Sequence, residues 1–296
     1  MSIFEGVATA LITPFNDDES VNYDKLRWLI DKQIDDGVDG FIITGTTAES
    51  ATLTEEEHIE VIAEAVKHVN GRVPVIAGTG SNCTRTAIEL SHKAEAVGAD
   101  GLLLVSPYYN KATQQGLYEH FKDTADAVKI PVILYNIKSR TGVNIEPETV
   151  LRLVKDVPNV KGIKEASGDI SQIGRIAALT EGYDFSIYSG NDDQAVPICS
   201  LGGKGVISVA SHVIPGVMHD IVRSYLDGDT AKALHLQNQY LDLMHKLFIE
   251  VNPIPVKEAL NLMGYEVGLY RKPMCPLSAE HREVLRQTLE KYGLIK

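Results

Sequence analysis

Apolar residues gather in eight short runs, at positions 7–12, 41–44, 73–77, 102–105, 132–135, 160–164, 185–188 and 206–209. Most are continuous rather than alternating, as expected of parallel strands buried on both faces, and the stretches between them carry helical periodicity. Thr54 with Glu57 three residues on is a capping-box signature, after which Ile59, Ile62, Ala63 and Val66 predict one apolar helix stripe. Gly37-Val38-Asp39-Gly40 and Gly98-Ala99-Asp100-Gly101 are near copies of a helix stop, a tight turn and a strand start. Eight βα units joined by right-handed crossovers close most simply into a (β/α)8 TIM barrel. Thr13-Pro14-Phe15-Asn16, after the first run, lacks the glycine-rich turn of a doubly wound sheet. From about residue 224 the strand signal stops, and 231–250, 255–263 and 279–292 read as helices. The α/β fold is therefore expected to divide into a barrel, residues 1–224, and a C-terminal helical extension, residues 225–296, that packs on the barrel or serves subunit contacts.

Composition narrows the function classes. Hydrophobic residues make up 44% of the 296 and charged ones 23%, enough for a large core. A net charge of -12 argues against a nucleic-acid surface, which needs clustered Lys and Arg. The first residues lack the basic and apolar regions of a signal peptide, and no apolar run approaches the ~20 residues of a membrane span, so a cytoplasmic protein with no membrane partner is expected. Cys83, Cys199 and Cys275 show no C-x-x-C or other metal-ligand spacing, which predicts reduced structural thiols and no metal.

In a barrel of this kind chemistry sits where strands pass into βα loops. Lys164 ends the sixth run. A strand-end lysine ordinarily snorkels to a carboxylate, but an amine held in apolar surroundings loses its proton more readily and becomes a nucleophile for a carbonyl. Thr46 and Thr47 follow the second run, and their hydroxyls and backbone N–H groups suit the carboxylate of a 2-oxo acid, though Gly-Thr-Thr is equally a plain turn. Tyr135 ends the fifth run and can pass a proton through its phenol, with Thr46 and Tyr109 as relays to solvent. Arg140, five residues on, is placed to bind a second carboxylate, although loop arginines are commonly surface charges.

Gly45-Thr46-Thr47-x-Glu49-Ser50, Pro107-Tyr108-Tyr109-Asn110, Tyr135-Asn136 with Arg140-Thr141-Gly142, and Lys161-Gly162-Ile163-Lys164-Glu165-Ala166-Ser167 together resemble the dihydrodipicolinate synthase family. The likeness runs nearly end to end, taking in Gly78-Thr79-Gly80-Ser81-Asn82, Asn252-Pro253-Ile254-Pro255-Val256-Lys257 and Cys275-Pro276-Leu277-Ser278. The resemblance implies a lyase that needs no cofactor and condenses pyruvate with aspartate 4-semialdehyde in lysine biosynthesis, as a homotetramer. It implies that Lys164 forms the pyruvate imine and that Tyr135 shuttles protons with Thr46 and with Tyr109 of a neighbouring subunit. Thr47 and Ile207 would contact pyruvate, Gly190 would line the pocket through its backbone, and Arg140 would hold the semialdehyde carboxylate. Ser50, Ala51, His58, Asn82 and Tyr108 match the cleft in which some members bind lysine as an inhibitor. Glu55 and Thr86 stand where sensitive members commonly carry histidine and glutamate, so weak or absent inhibition is expected. Three further departures are Ala48 for glycine, Lys138 for proline and Asn191 for aspartate. Ala48 would cost backbone freedom at a left-handed position, and Lys138 would loosen the loop carrying Arg140.

Two rival readings remain at this stage. A sister 2-oxo-acid aldolase acting on sialic acid or on 2-keto-3-deoxy sugar acids would share the lysine and tyrosine. Arg140 and the second threonine of Gly45-Thr46-Thr47 favour the synthase over it. A catalytically silent barrel that binds a 2-oxo acid as a regulator would have no need of Lys164, Tyr135, Thr46 and Tyr109 together.

Overall fold

The computed structural model describes residues 2–296. Eight parallel strands, β1 (Gly6–Ala10), β2 (Gly40–Ile43), β3 (Val75–Gly78), β4 (Gly101–Val105), β5 (Val132–Asn136), β6 (Val160–Glu165), β7 (Ser186–Ser189) and β8 (Gly205–Ser208), pair in sequence order and close as a barrel when β8 meets β1. Helices α1 (Tyr23–Asp35), α2 (Glu55–Val69), α3 (Thr84–Ala96) and α4 (Gln114–Asp126) follow the first four strands. The short α5 (Lys138–Thr141) and α6 (Pro147–Asp156) follow β5, and α7 (Ile170–Thr180), α8 (Ala195–Ser200) and α9 (Pro215–Leu226) follow the last three. The extension consists of α10 (Thr230–Lys246), α11 (Ile254–Leu262) and α12 (Ala279–Lys291). The expected (β/α)8 barrel with a helical extension is the architecture observed, and no described helix is long and apolar enough to cross a membrane.

Each strand sorts its side chains by alternation. One set faces the surrounding helices in the larger core, which includes Val7, Phe41, Leu102, Leu134, Ile163 and Val206. The other fills the barrel, with Ala8, Ile42, Ile76, Leu103, Ile133, Tyr188 and Ile207 among its members. At the barrel floor Phe4 stacks on Tyr188 with ring centroids 4.3 Å apart, and the Tyr188 hydroxyl donates to the Phe4 carbonyl at 3.0 Å. Gly162 makes room for that ring: a Cβ there would lie 3.2 Å from Tyr188 Cε2 and 2.8 Å from the Ser186 carbonyl oxygen. Two residues further along β6, on the same inner side and one layer higher, stands Lys164.

The two near-copied turns perform the same task. Gly37 and Gly98 adopt left-handed φ of 93° and 94°, and the aspartate that follows each clamps the start of a preceding strand. Asp39 Oδ2 accepts from Val7 N at 2.8 Å and Asp100 Oδ2 from Val75 N at 2.8 Å. The capping box at Thr54 and Glu57 forms as expected. The α2 stripe is corrected: the buried face is His58, Val61, Ile62, Ala65 and Val69, while Ile59 and Val66 flank it half-buried because neighbouring helices cover the sides of α2. Of the cysteines only Cys199 is buried, its thiol pushed up to about 11 by burial; Cys83 and Cys275 are exposed, so two of the three are not core thiols.

Candidate active site

The upper end of the barrel is shaped by how β2 stops. Thr44 adopts a left-handed φ of 54°, its hydroxyl donating to the Ile43 carbonyl at 2.7 Å and lying 3.2 Å from the Gly78 carbonyl. The chain then enters a tight 3-10 turn, Thr46–Ala48, that ends on Glu49, also left-handed at φ 56°. Each such residue costs about 1–2 kcal/mol relative to a right-handed one, so the surroundings must hold the turn. Thr13 Oγ1 donates to the Ala48 carbonyl at 2.8 Å, and Asn252 Nδ2 donates to Thr47 Oγ1 at 2.9 Å. The anticipated cost of Ala48 does not arise, because the left-handed position is its neighbour Glu49.

Thr46, Thr47, Tyr135 and Lys164 line one narrow cavity of about 40 Å³ at this end, with Ser50, Gly78 and Val105 around them. Tyr135 and Lys164 are register partners across β5 and β6, and the lysine Nζ lies 4.3 Å from the centre of the tyrosine ring. Burial lowers the Lys164 pKa to about 7; Asp192 works against that shift and Arg140 with it. Tyr135 is pushed up to about 12 by burial, moderated by Arg140 and by a hydrogen bond with the Thr46 side chain. The site therefore pairs an amine that sheds its proton near neutrality with a phenol that keeps its own.

The other expected residues sit at different distances from this centre. Gly190 adjoins the lysine, since a Cβ on it would lie 3.1 Å from Lys164 Cε, and its N–H donates to the Glu165 carbonyl at 2.7 Å. Ile207 packs inside the barrel in one cluster with Tyr135. Arg140 is exposed at the mouth, on the one-turn helix α5, and donates through Nη2 to the Asn252 carbonyl at 3.1 Å. That tether and the left-handed Gly142 cap hold the loop that Lys138 was expected to loosen. Tyr109 is not brought to the cavity of its own chain: it is 90% exposed on a left-handed φ of 74°.

In the candidate effector cleft, Ser50 is half-buried, Ala51 and Tyr108 are exposed, and Asn82 gives its carbonyl to Asn110 Nδ2 at 2.8 Å. His58 is buried, its Nε2 2.8 Å from the Gly78 carbonyl, and burial lowers its pKa. Glu55 faces Lys93 at 3.5 Å.

Sequence reasoning assigned no role to Asn252, Glu49 or Asp192. Asn252 comes from the extension, yet bridges Thr47 and Arg140. Asp192 follows β7 and is buried, with Oδ2 accepting from Val209 N at 3.1 Å and Ala210 N at 2.9 Å. The only available signal was its place just past a strand end, and Asn252 lay in a segment quoted for its motif alone.

Comparison with known proteins identifies relatives of the whole chain. A family model described as "Dihydrodipicolinate synthetase family" matches residues 3–292. The 4-hydroxy-tetrahydrodipicolinate synthase of Lachnoclostridium phytofermentans is 54% identical over 295 residues, covering 100% of both chains. The solved structure of the Cyanidioschyzon merolae enzyme with lysine bound superposes with a TM-score of 0.97 at 42% identity, covering 100% of both chains. The chloride-inhibited dihydrodipicolinate synthase of Acinetobacter baumannii complexed with pyruvate gives a TM-score of 0.94 at 42% identity, covering 98% of this chain and 99% of that one. With a family match over nearly the whole length and a fold shared end to end, this chain belongs to the dihydrodipicolinate synthetase family.

Proposed function

We propose that this chain is a Schiff-base lyase, a 4-hydroxy-tetrahydrodipicolinate synthase, that condenses pyruvate with L-aspartate 4-semialdehyde in lysine and diaminopimelate biosynthesis. The observation that carries the reading is Lys164, a buried amine lowered to about 7, facing Tyr135 in a narrow cavity beside Thr46 and Thr47. The free amine adds to C2 of pyruvate, and loss of water leaves an imine. The imine withdraws electrons, so a methyl proton departs and the resulting enamine forms a carbon–carbon bond with the aldehyde. The amine of the second substrate then displaces Lys164 and closes the ring.

In this reading Tyr135 carries protons to and from the reacting centre, in contact with Thr46, and Tyr109 from a neighbouring subunit completes the relay. Thr47 and Ile207 contact pyruvate, Gly190 lines the pocket, and Arg140 receives the semialdehyde carboxylate. The working unit is a homotetramer acting in the cytoplasm, with the extension, residues 225–296, as a second structural part beside the barrel, residues 1–224. Arg140, tethered by Asn252 at the mouth, favours an acceptor bearing a carboxylate over the neutral polyol of a sugar-acid aldolase.

The test is borohydride reduction in the presence of pyruvate, followed by peptide mass analysis. A reduced pyruvate adduct is expected on Lys164 and is lost in Lys164→Ala; an adduct on another peptide would sink the assignment. A panel of acceptor aldehydes then identifies the second substrate, with aspartate semialdehyde expected to be preferred over sugar aldehydes.

A further inference from the structure

The extension also reaches the site through a charge pair that the chemistry above does not use. Lys257 on α11 and Glu49 have side-chain exposures of 0% and 1%, and Lys257 Nζ lies 2.8 Å from Glu49 Oε1. The same ammonium donates to the carbonyls of Thr13 at 3.0 Å and Leu269 at 2.5 Å, and lies 4.4 Å from the centre of the Phe15 ring. The second carboxylate oxygen of Glu49 accepts from the Arg271 backbone N at 3.1 Å. Three donors of one group and two acceptors of the other are thus satisfied without water, by partners drawn from both ends of the chain.

Packing alone does not call for this arrangement. A buried ion pair is commonly replaceable by apolar residues of similar volume with no loss of stability, whereas it fixes direction in a way that apolar contacts do not. Direction matters at Glu49, the left-handed residue that ends the Thr46–Ala48 turn, whose N–H donates to the Thr46 carbonyl at 3.1 Å. Anchoring its carboxylate sets the course of the backbone as it leaves Thr46 and Thr47. Asn252, five residues before Lys257, grips Thr47 from the same extension.

We propose that Lys257 and Glu49 are positioning residues for the first substrate: through this ion pair the C-terminal extension holds Thr46 and Thr47 in the orientation that receives the carboxylate of a 2-oxo acid. The inference rests on the reading of Thr46, Thr47 and Lys164 given under the proposed function. It also gives the extension a task at the site.

The experiment compares initial rates and borohydride trapping of pyruvate in the wild type, Glu49→Gln and Lys257→Met, with circular dichroism as the check on folding. Glu49→Gln keeps side-chain volume and an acceptor for Lys257, so it carries the test where Lys257→Met fails to fold. In the folded variants the pyruvate KM is expected to rise about tenfold or more, as for loss of one well-placed polar contact. The semialdehyde KM should stay within about threefold, because Arg140 is held by Asn252 and not by Glu49, while kcat falls less than the pyruvate KM rises, since Thr46 also partners Tyr135. A folded Glu49→Gln whose pyruvate KM lies within about twofold of the wild type overturns the inference. So does an equal rise in both KM values with a matching fall in kcat, the mark of general loosening. A wild type that traps no pyruvate on Lys164 overturns the underlying reading and this inference with it; normal wild-type trapping with unaltered variants overturns the inference alone.

Discussion

Lys164 and Lys257 are both buried amines, and their surroundings separate their roles. Lys257 is ringed by a carboxylate and two carbonyls and remains an anchored cation, although burial lowers its pKa to about 8. Lys164 has the face of Tyr135 and an open cavity before it. Its value of about 7 predicts that adduct formation with pyruvate rises with pH through about 7 and flattens above it. A limb near pH 10 in single-turnover trapping would show that burial does not govern this amine. The same shift bears on folding. The unfolded lysine titrates near 10.5, so between about 7 and 10.5 the unfolded chain holds more protons and stability rises with pH. The penalty is fully present below about 7 and fades toward 10.5. Lys164→Met is therefore expected to raise the melting temperature at neutral pH, by about 2–4 °C per kcal/mol recovered, as thermal unfolding would show. Lys164 was legible in the sequence because it ends an apolar run, where the strands of such a barrel pass into their loops. Glu49 was not, since its partner lies 208 positions away and nothing in either segment announces the other.

Among the elements, every predicted strand exists and the differences lie at the ends. Residues 11 and 12 continue the first apolar run but leave β1: they pack among the outer helices, and Ile12 N donates to His212 Nε2 at 3.0 Å. The third run overshoots at its start, where β3 begins one residue after Pro74. Asn136 and Glu165 were read as past their strands because they are polar. They pair with each other as the last rungs of β5 and β6, and Asn136 Nδ2 donates to Glu165 Oε1 at 2.9 Å. Apolarity marks the burial of a residue, whereas the ladder follows backbone pairing, and the two part company at strand ends. His212 ties the seam between β1 and β8 and does so only while neutral, with Nδ1–H donating to the Val209 carbonyl at 2.9 Å. Burial lowers its pKa to about 4 from 6.5. The unfolded chain thus binds the extra proton between those values, and stability from this group falls as pH drops through that window, by about 3 kcal/mol in total. His120, also lowered to about 4 by burial, acts in the same sense, while Glu165 and Asp192, raised by burial, act in the opposite one. The informative measurement is therefore the difference in urea midpoint between wild type and His212→Gln from pH 7 to 4.5. The variant is expected to be less stable at pH 7 and to show the shallower acid slope; parallel slopes would remove His212 from the account.

On the scale of the molecule, one chain leaves its proposed proton relay without Tyr109, which stands exposed on a strained loop. Mixing impaired Tyr109→Phe with inactive Lys164→Ala should raise activity above that of either variant alone once subunits exchange, since a mixed pair contains one site intact in both respects. Exchange proven by native mass spectrometry with no gain in activity would rule out a shared site. Tyr109→Phe alone should slow turnover about 10²-fold, in the range of general acid–base effects. Lysine should inhibit only weakly: Glu55 faces Lys93, and Thr86 supplies no charge for an amine. Half-inhibition below about 1 mM in an initial-rate titration would contradict this. The barrel and extension were each visible in the pattern of the chain, but the contacts between them were not, because they join side chains about two hundred positions apart. The stacked rings of Phe4 and Tyr188 have a last effect. They close the far end of the barrel, so in the proposed reaction both reactants and the water lost at Lys164 would share one entrance. In the proposed reaction the reactant that bonds to Lys164 would enter first, with the second standing between it and the mouth.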